Sequence, residues 1–173
     1  MFFCYTLITT IFNNLSNNME INAKKDYEIT NEIIVQKEIT NEKSIFINNV
    51  WKIEIPKIGL SANIAEGTEK AILDKYVGHF LETSKLEGNI GLAAHNRGYT
   101  VNYFEKIKEL VNGDEIYYTY NGITKKYVVI LKTIIKDTEW KYLQNTEDNR
   151  LTLITCVENQ PSYRRCIQAI ENK

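Results

Sequence analysis

Histidine and cysteine are scarce in this 173-residue sequence, and their scarcity limits its chemistry. Only His79 and His95 occur, and the three cysteines form no CxxC pair, so the supply of ligands argues against a structural zinc site. An odd, widely spaced set of cysteines is no disulfide framework either. Neither sign of charge is in excess. With 21 basic against 22 acidic residues the net charge is −1, which leaves no basic footprint for nucleic acid and no polybasic membrane patch. The N-terminal apolar run, "MFFCYTLITTIF", is short of the roughly 20 residues that a membrane span needs. It has no basic flank before it and no small-residue cleavage site after it, so it is also an incomplete signal peptide. Residues 1–16 are expected to be the remnant of a membrane anchor, the alternative being an apolar strand or helix that packs on another part of the protein. Any catalysis must run on very few titratable groups.

Proline and glycine are missing between Asn17 and Asn49, and "EITNE" occurs there twice, at Glu28–Glu32 and Glu38–Glu42. The stretch is polar and holds no sustained apolar period, so residues 17–49 are expected to form a stalk or loosely helical linker. From Val50 the texture changes. "WKIEIPKIGL" alternates up to Pro56 and Gly59, as a strand with a bend does. "GTEKAILDKY" predicts a short helix with Thr68 as its N-cap, and "NYFEKIKEL" is helical in pattern. "NIGLAAH" reads as a buried strand. Asn121-Gly122 joins two strand-like runs and is a strong hairpin signal. "DTEWKYL" predicts a helical turn, and "RLTLITC" and "RRCIQAI" are two further strands. Short strands dominate, so residues 50–173 are expected to form one all-β domain, a closed barrel. The 43% hydrophobic and 11% aromatic content supplies its core.

The chemistry-bearing residues fall at strand ends. In "NIGLAAHNRG" alternation sets Ile90, Leu92 and Ala94 on one face and Gly91, Ala93 and His95 on the other. His95 thus ends its strand beside small neighbours, where a loop begins. In "RLTLITC" the faces are Leu151, Leu153 and Thr155 against Thr152, Ile154 and Cys156. In "YRRCIQAI" Ile167 and Ala169 belong to the core, which sets Arg164, Cys166 and Gln168 opposite. If these two strands form a hairpin, Arg164 returns close to Cys156. A thiol nucleophile needs a base or cation and a donor for the developing oxyanion, and His95 and Arg164 offer both. Spacing alone leaves three fates for Cys156: a small buried hydrophobe, a disulfide partner of Cys166, or a nucleophile.

These residues resemble a known family. "TLITC" at Thr152–Cys156 is similar to the Thr-Leu-x-Thr-Cys signature of sortases, the cysteine transpeptidases of Gram-positive bacterial surfaces. "GLAAHNRG" resembles the family's histidine segment, and "RRCIQA" its arginine strand. "IPKIGLSANIAEGT" and "KYVGHF" resemble its opening strands and first helix, so the likeness runs from Trp51 to Ile170. The resemblance implies an eight-stranded barrel with short helices, anchored in the cell membrane with its catalytic domain on the extracellular face. It implies that Cys156 attacks a Leu-Pro-x-Thr-Gly-like sorting signal and that an amine of a cell-wall precursor resolves the thioester. His95 would be the acid/base. Arg164 would bind the oxyanion or the substrate backbone, and is preferred to Arg165 because Ala169 follows it by five residues, as in the family. Thr155, Ala94 and Ile154 are expected to contact substrate, and His79 is expected to be structural. The short "TCVENQPSYRRC" connection suggests a small single-signal or class D-like type. The carboxylates Glu82 and Glu87 are too scattered for a calcium site, so no metal or cofactor is expected. The competing readings are a catalytically silent peptide-binding barrel and a peptidase that only hydrolyses.

Overall fold

The computed structural model describes residue 25, residues 32–38, residue 40 and residues 50–172. Residues 32–38 are helical and belong to a compact unit separate from the one that begins at Ile47. The anchor expected at 1–16 and most of the linker expected at 17–49 lie outside the described residues.

Eight strands close into a barrel in the order β1-β2-β3-β4-β7-β8-β6-β5. Their ranges are β1 Trp51–Ile55, β2 Leu60–Glu66, β3 Val77–His79, β4 Asn89–Ala93, β5 Glu115–Tyr120, β6 Ile123–Lys136, β7 Arg150–Val157 and β8 Gln160–Glu171. Two contacts are parallel, β2 with β3 and β4 with β7, and parallel neighbours need a crossover connection. The β2–β3 crossover carries the one described α-helix of the barrel unit, α1 at Lys70–Leu73. The β4–β7 crossover runs through β5 and β6.

Local sequence accounts for the corners. Pro56 opens a 3-10 turn that ends on Gly59 at φ 64°, a left-handed position that glycine occupies without steric cost. Asn121 and Gly122 both have positive φ, 49° and 79°, and Tyr120 pairs with Ile123 across them. This is the two-residue turn that the dipeptide signals.

The barrel interior is filled by alternate residues, including Ile53, Ile55, Ile90, Leu92, Tyr118, Leu151, Leu153 and Ile167, each fully buried. Phe104, Ile107 and Leu110 join them. Their spacing of three explains why "NYFEKIKEL" does not form the expected α-helix. A period of three suits a 3-10 turn better than a 3.6-residue helix, and the segment folds as turns around a 3-10 stretch at Ile107–Glu109. The N-cap of α1 also differs from expectation: it is Glu69, without a side-chain cap bond, not Thr68.

A second, outer core covers β4, β7 and β8. The β6–β7 connection, with a 3-10 turn at Trp140–Leu143, folds back over them. Asn89 Nδ2 donates to the carbonyls of Tyr142 and Gln144, both at 2.8 Å. The Thr152 hydroxyl donates to Asn89 Oδ1 at 2.8 Å, and Gln168 Nε2 donates to the Tyr142 carbonyl at 3.2 Å. Beneath this network lie Ile135, Ile154 and Cys166, packed by Phe80, Tyr142 and Leu143. The approach is close. A Cβ on Gly91 would stand 2.7 Å from Leu143 Cδ2, so a side chain there would have to displace Leu143.

One interior group stands out: no hydrogen bond reaches the buried Tyr127 hydroxyl among the described residues. A buried hydroxyl without a partner costs on the order of 1–3 kcal/mol of desolvation. Tyr127→Phe should therefore leave the melting temperature unchanged or raise it, as read by thermal denaturation. A drop would show that the hydroxyl makes a stabilising interaction.

Candidate active site

Where β4 and β7 end side by side, a cleft of about 540 Å³ opens. His95, Cys156 and Arg164 all line it, with Phe80, Ala93, Ala94, Ile154 and Thr155 among the other lining residues. Each arrives there for a local reason. Parallel pairing sets Ala93 against Ile154, so His95, just past the end of β4, and Cys156, still in β7, reach the same end of the strand pair.

The β7–β8 hairpin is tighter than its sequence suggests. Glu158 and Asn159 alone form the turn, Asn159 with φ 58°, and Val157 already pairs with Gln160. The register then jumps so that Cys156 faces Arg164. Pro161, Ser162 and Tyr163 are thereby bulged out of the pairing with β7, in a position where a proline, having no N–H to donate, is tolerated. The bulge frees backbone carbonyls, and Arg164 takes them up. Its Nη1 donates to the carbonyl of Pro161 at 2.6 Å and to that of Tyr163 at 2.9 Å. Its Nη2 approaches Asp137 Oδ2 at 3.9 Å. One edge of the guanidinium is thus fixed by its own hairpin, while its charge lies on the cleft opposite Cys156. Directly opposed residues on one sheet face stand about 5 Å apart at Cβ, so the two side chains start from adjacent points, and both line the cleft.

His95 is nearly enclosed, with 11% of its side chain exposed. Its Nε2 lies 3.3 Å from Asp74 Oδ1, and the Tyr99 ring stacks on it with a centroid separation of 3.6 Å. Two bonds tie the histidine loop to the hairpin. Asn96 Nδ2 donates to the Cys156 carbonyl at 3.1 Å, and Arg97 Nη2 donates to Asn159 Oδ1 at 2.7 Å. Thr155 adds a third link, its buried hydroxyl donating to the Ala94 carbonyl at 2.7 Å. Its proton is therefore committed to the scaffold, not to the open cleft.

The two other candidates are elsewhere. Cys166 is not a cleft-side neighbour of Cys156, as strand alternation implied. It is fully buried in the outer core, and burial pushes its thiol up to about 12. Both cysteines are free, and Cys156 is exposed. His79 is fully buried, between Glu66 Oε1 at 2.7 Å and the Ser84 carbonyl at 3.0 Å, and lies outside the cleft lining. Asn96, Arg97, Asp74 and Tyr99 were not anticipated as site residues. The loop signal after His95 pointed toward the first two, whereas no spacing rule joins Asp74 to a histidine 21 positions away.

The arrangement brings an exposed thiol, an imidazole and a fixed cation to one apolar-floored cleft, the set that acyl transfer through a thioester requires. A family model of the sortase domain matches residues 53–171. Sortase A of Bacillus anthracis is 27% identical over 121 residues, which cover 69% of this chain and 58% of that protein. Sortase A of Listeria monocytogenes is 28% identical over 127 residues, covering 68% and 54% respectively. The match thus spans less than two thirds of the length of these curated relatives. Among solved structures, a lid mutant of sortase A from Corynebacterium diphtheriae superposes with a TM-score of 0.68 at 25% identity, covering 72% of this chain and 70% of that one. Sortase C-1 from Actinomyces oris gives the same TM-score at 27% identity, covering 78% and 82%.

Proposed function

The chain belongs to the sortase family, and we propose that it is a cysteine transpeptidase that cleaves a Leu-Pro-x-Thr-Gly-like sorting signal and passes the acyl group to an amine of a cell-wall precursor. The observation that carries this reading is the register that sets Cys156 opposite Arg164, on a cleft that His95 also lines.

In the first half-reaction the Cys156 thiolate attacks the carbonyl carbon of the threonine, and the oxyanion that forms faces the Arg164 guanidinium. The carbon–nitrogen bond breaks, His95 gives its proton to the departing glycine amine, and a thioester remains on Cys156. An incoming amine attacks that thioester, loses a proton to His95, and leaves as the new amide while Cys156 regains its thiolate. A fixed guanidinium suits this role because it is always charged and needs no reorganisation as charge develops. Ala94 and Ile154 line the floor beside the nucleophile, in reach of the signal's backbone.

The two-residue β7–β8 turn leaves little chain between nucleophile and arginine, which supports the small single-signal or class D-like type. The reading carries with it a site of action at the extracellular face of the cell membrane, with residues 1–16 as the anchor. No described helix is long and apolar enough to cross a membrane.

The test is product analysis after incubation with a fluorescent sorting-signal peptide, with and without an amine acceptor. Transpeptidation gives an amine-dependent product. Hydrolysis alone, with no transfer at high amine, would make the protein a peptidase, and an intact peptide under all conditions would make it a binding barrel.

A further inference from the structure

We infer that Asp74 is a positioning residue for His95, its carboxylate holding Nε2 so that Nδ1 is the imidazole nitrogen offered for proton transfer. The inference rests on the transpeptidase reading, in which His95 moves the proton.

Two constraints meet on the ring. The Tyr99 ring lies 3.6 Å from it, centroid to centroid, with the planes 6° apart, and a stack this parallel fixes the plane of the imidazole. Asp74 Oδ1, 3.3 Å from Nε2, then fixes its rotation within that plane. The clamp is closed by Lys70. Its Nζ donates to Asp74 Oδ2 at 2.6 Å and lies 5.3 Å from the Tyr99 ring centroid, within cation–π range.

Chemistry follows from the geometry. An ionised carboxylate only accepts hydrogen bonds, so the nitrogen facing it carries the hydrogen. In the neutral ring that leaves the lone pair on Nδ1, the atom that can take a proton from a thiol or amine. The Lys70 ammonium hydrogen-bonded to Asp74 holds its carboxyl below the usual carboxylate range, so Asp74 stays an acceptor through the neutral range. Asp74 is not part of the cleft lining and therefore acts through His95, not on substrate.

A merely structural role would be small. Lys70 and Asp74 are an exposed i, i+4 pair, and such pairs add little to the stability of a helix. Asp74→Asn should fold normally.

The experiment compares the wild type with Asp74→Asn and Asp74→Glu. With a sorting-signal peptide, Asp74→Asn should lower kcat about tenfold, the scale of one hydrogen bond to a charged group, with KM changed less than about twofold. Asp74→Glu should recover most of the rate. In parallel, ¹⁵N NMR of the imidazole, assigned with His95→Ala, should show a single Nε2–H tautomer in the wild type and a mixture in Asp74→Asn. Unchanged kcat together with an unchanged tautomer would overturn the role. The NMR readout needs no substrate, so it decides the positioning role even if the wild type proves inert toward the peptide, a result that sinks only the transpeptidase reading.

Discussion

Cys156→Ala abolishes covalent capture of a sorting-signal peptide and lowers kcat/KM by about 10⁴-fold or more, the scale of losing a nucleophile with no substitute in the site. Among the described residues, no other thiol lines the cleft. Cys166 is buried in the outer core, its thiol raised to about 12, so it is neither reachable nor ionised. Cys156 itself is exposed, and a surface substitution of this kind stays within about 0.5 kcal/mol. The melting temperature should hold while activity vanishes, which separates a chemical loss from a folding one. A Cys156→Ala protein that still forms an adduct would place the nucleophile elsewhere.

Arg164→Lys is expected to lower kcat about 10²- to 10³-fold, the cost of removing one oxyanion donor, although the charge is kept. Two contributions add. An ammonium has no planar fork, so it cannot stay bonded to the hairpin and face the cleft at once. If it faces the cleft instead, the Pro161 and Tyr163 carbonyls that Nη1 now holds lose their donor, which loosens the bulge that sets Arg164 opposite Cys156. Steady-state kinetics on the peptide checks the size, and a kcat within about threefold of wild type would show that charge alone suffices. Neighbouring Arg165, which pairs with Thr155, is the internal control. Arg165→Lys should leave kcat nearly unchanged.

Much of this site was legible in the chain because strand alternation has a period of two and the site residues lie near the ends of their strands. "NIGLAAH" and "RLTLITC" gave the faces correctly, with Ile90, Leu92, Leu151 and Leu153 in the interior. Alternation failed for Cys166 and Gln168 for a tertiary reason. It marks two faces but not what covers the outer one, and here the Trp140–Leu143 connection does so, burying both residues. The contribution of "QPSY" was also hidden. It reads as part of a turn, but the turn is Glu158 and Asn159 alone, and "QPSY" opens β8 with a bulge, Tyr163 pairing with Lys136 on β6. Asp74 was beyond reach for the opposite reason: its partner histidine is brought to it only by the crossover and the closing of the barrel.

The central claim is that the acyl group is carried on Cys156, and localising a trapped thioester tests it most directly. The protein is quenched in acid during turnover of a sorting-signal peptide, digested, and mapped by tandem mass spectrometry. The expected result is one acyl modification, on the fragment containing Cys156, absent from Cys156→Ala and removed when an amine is added before quenching. A modification on Cys4 or Cys166 instead, or turnover with no acylated cysteine, would contradict the account.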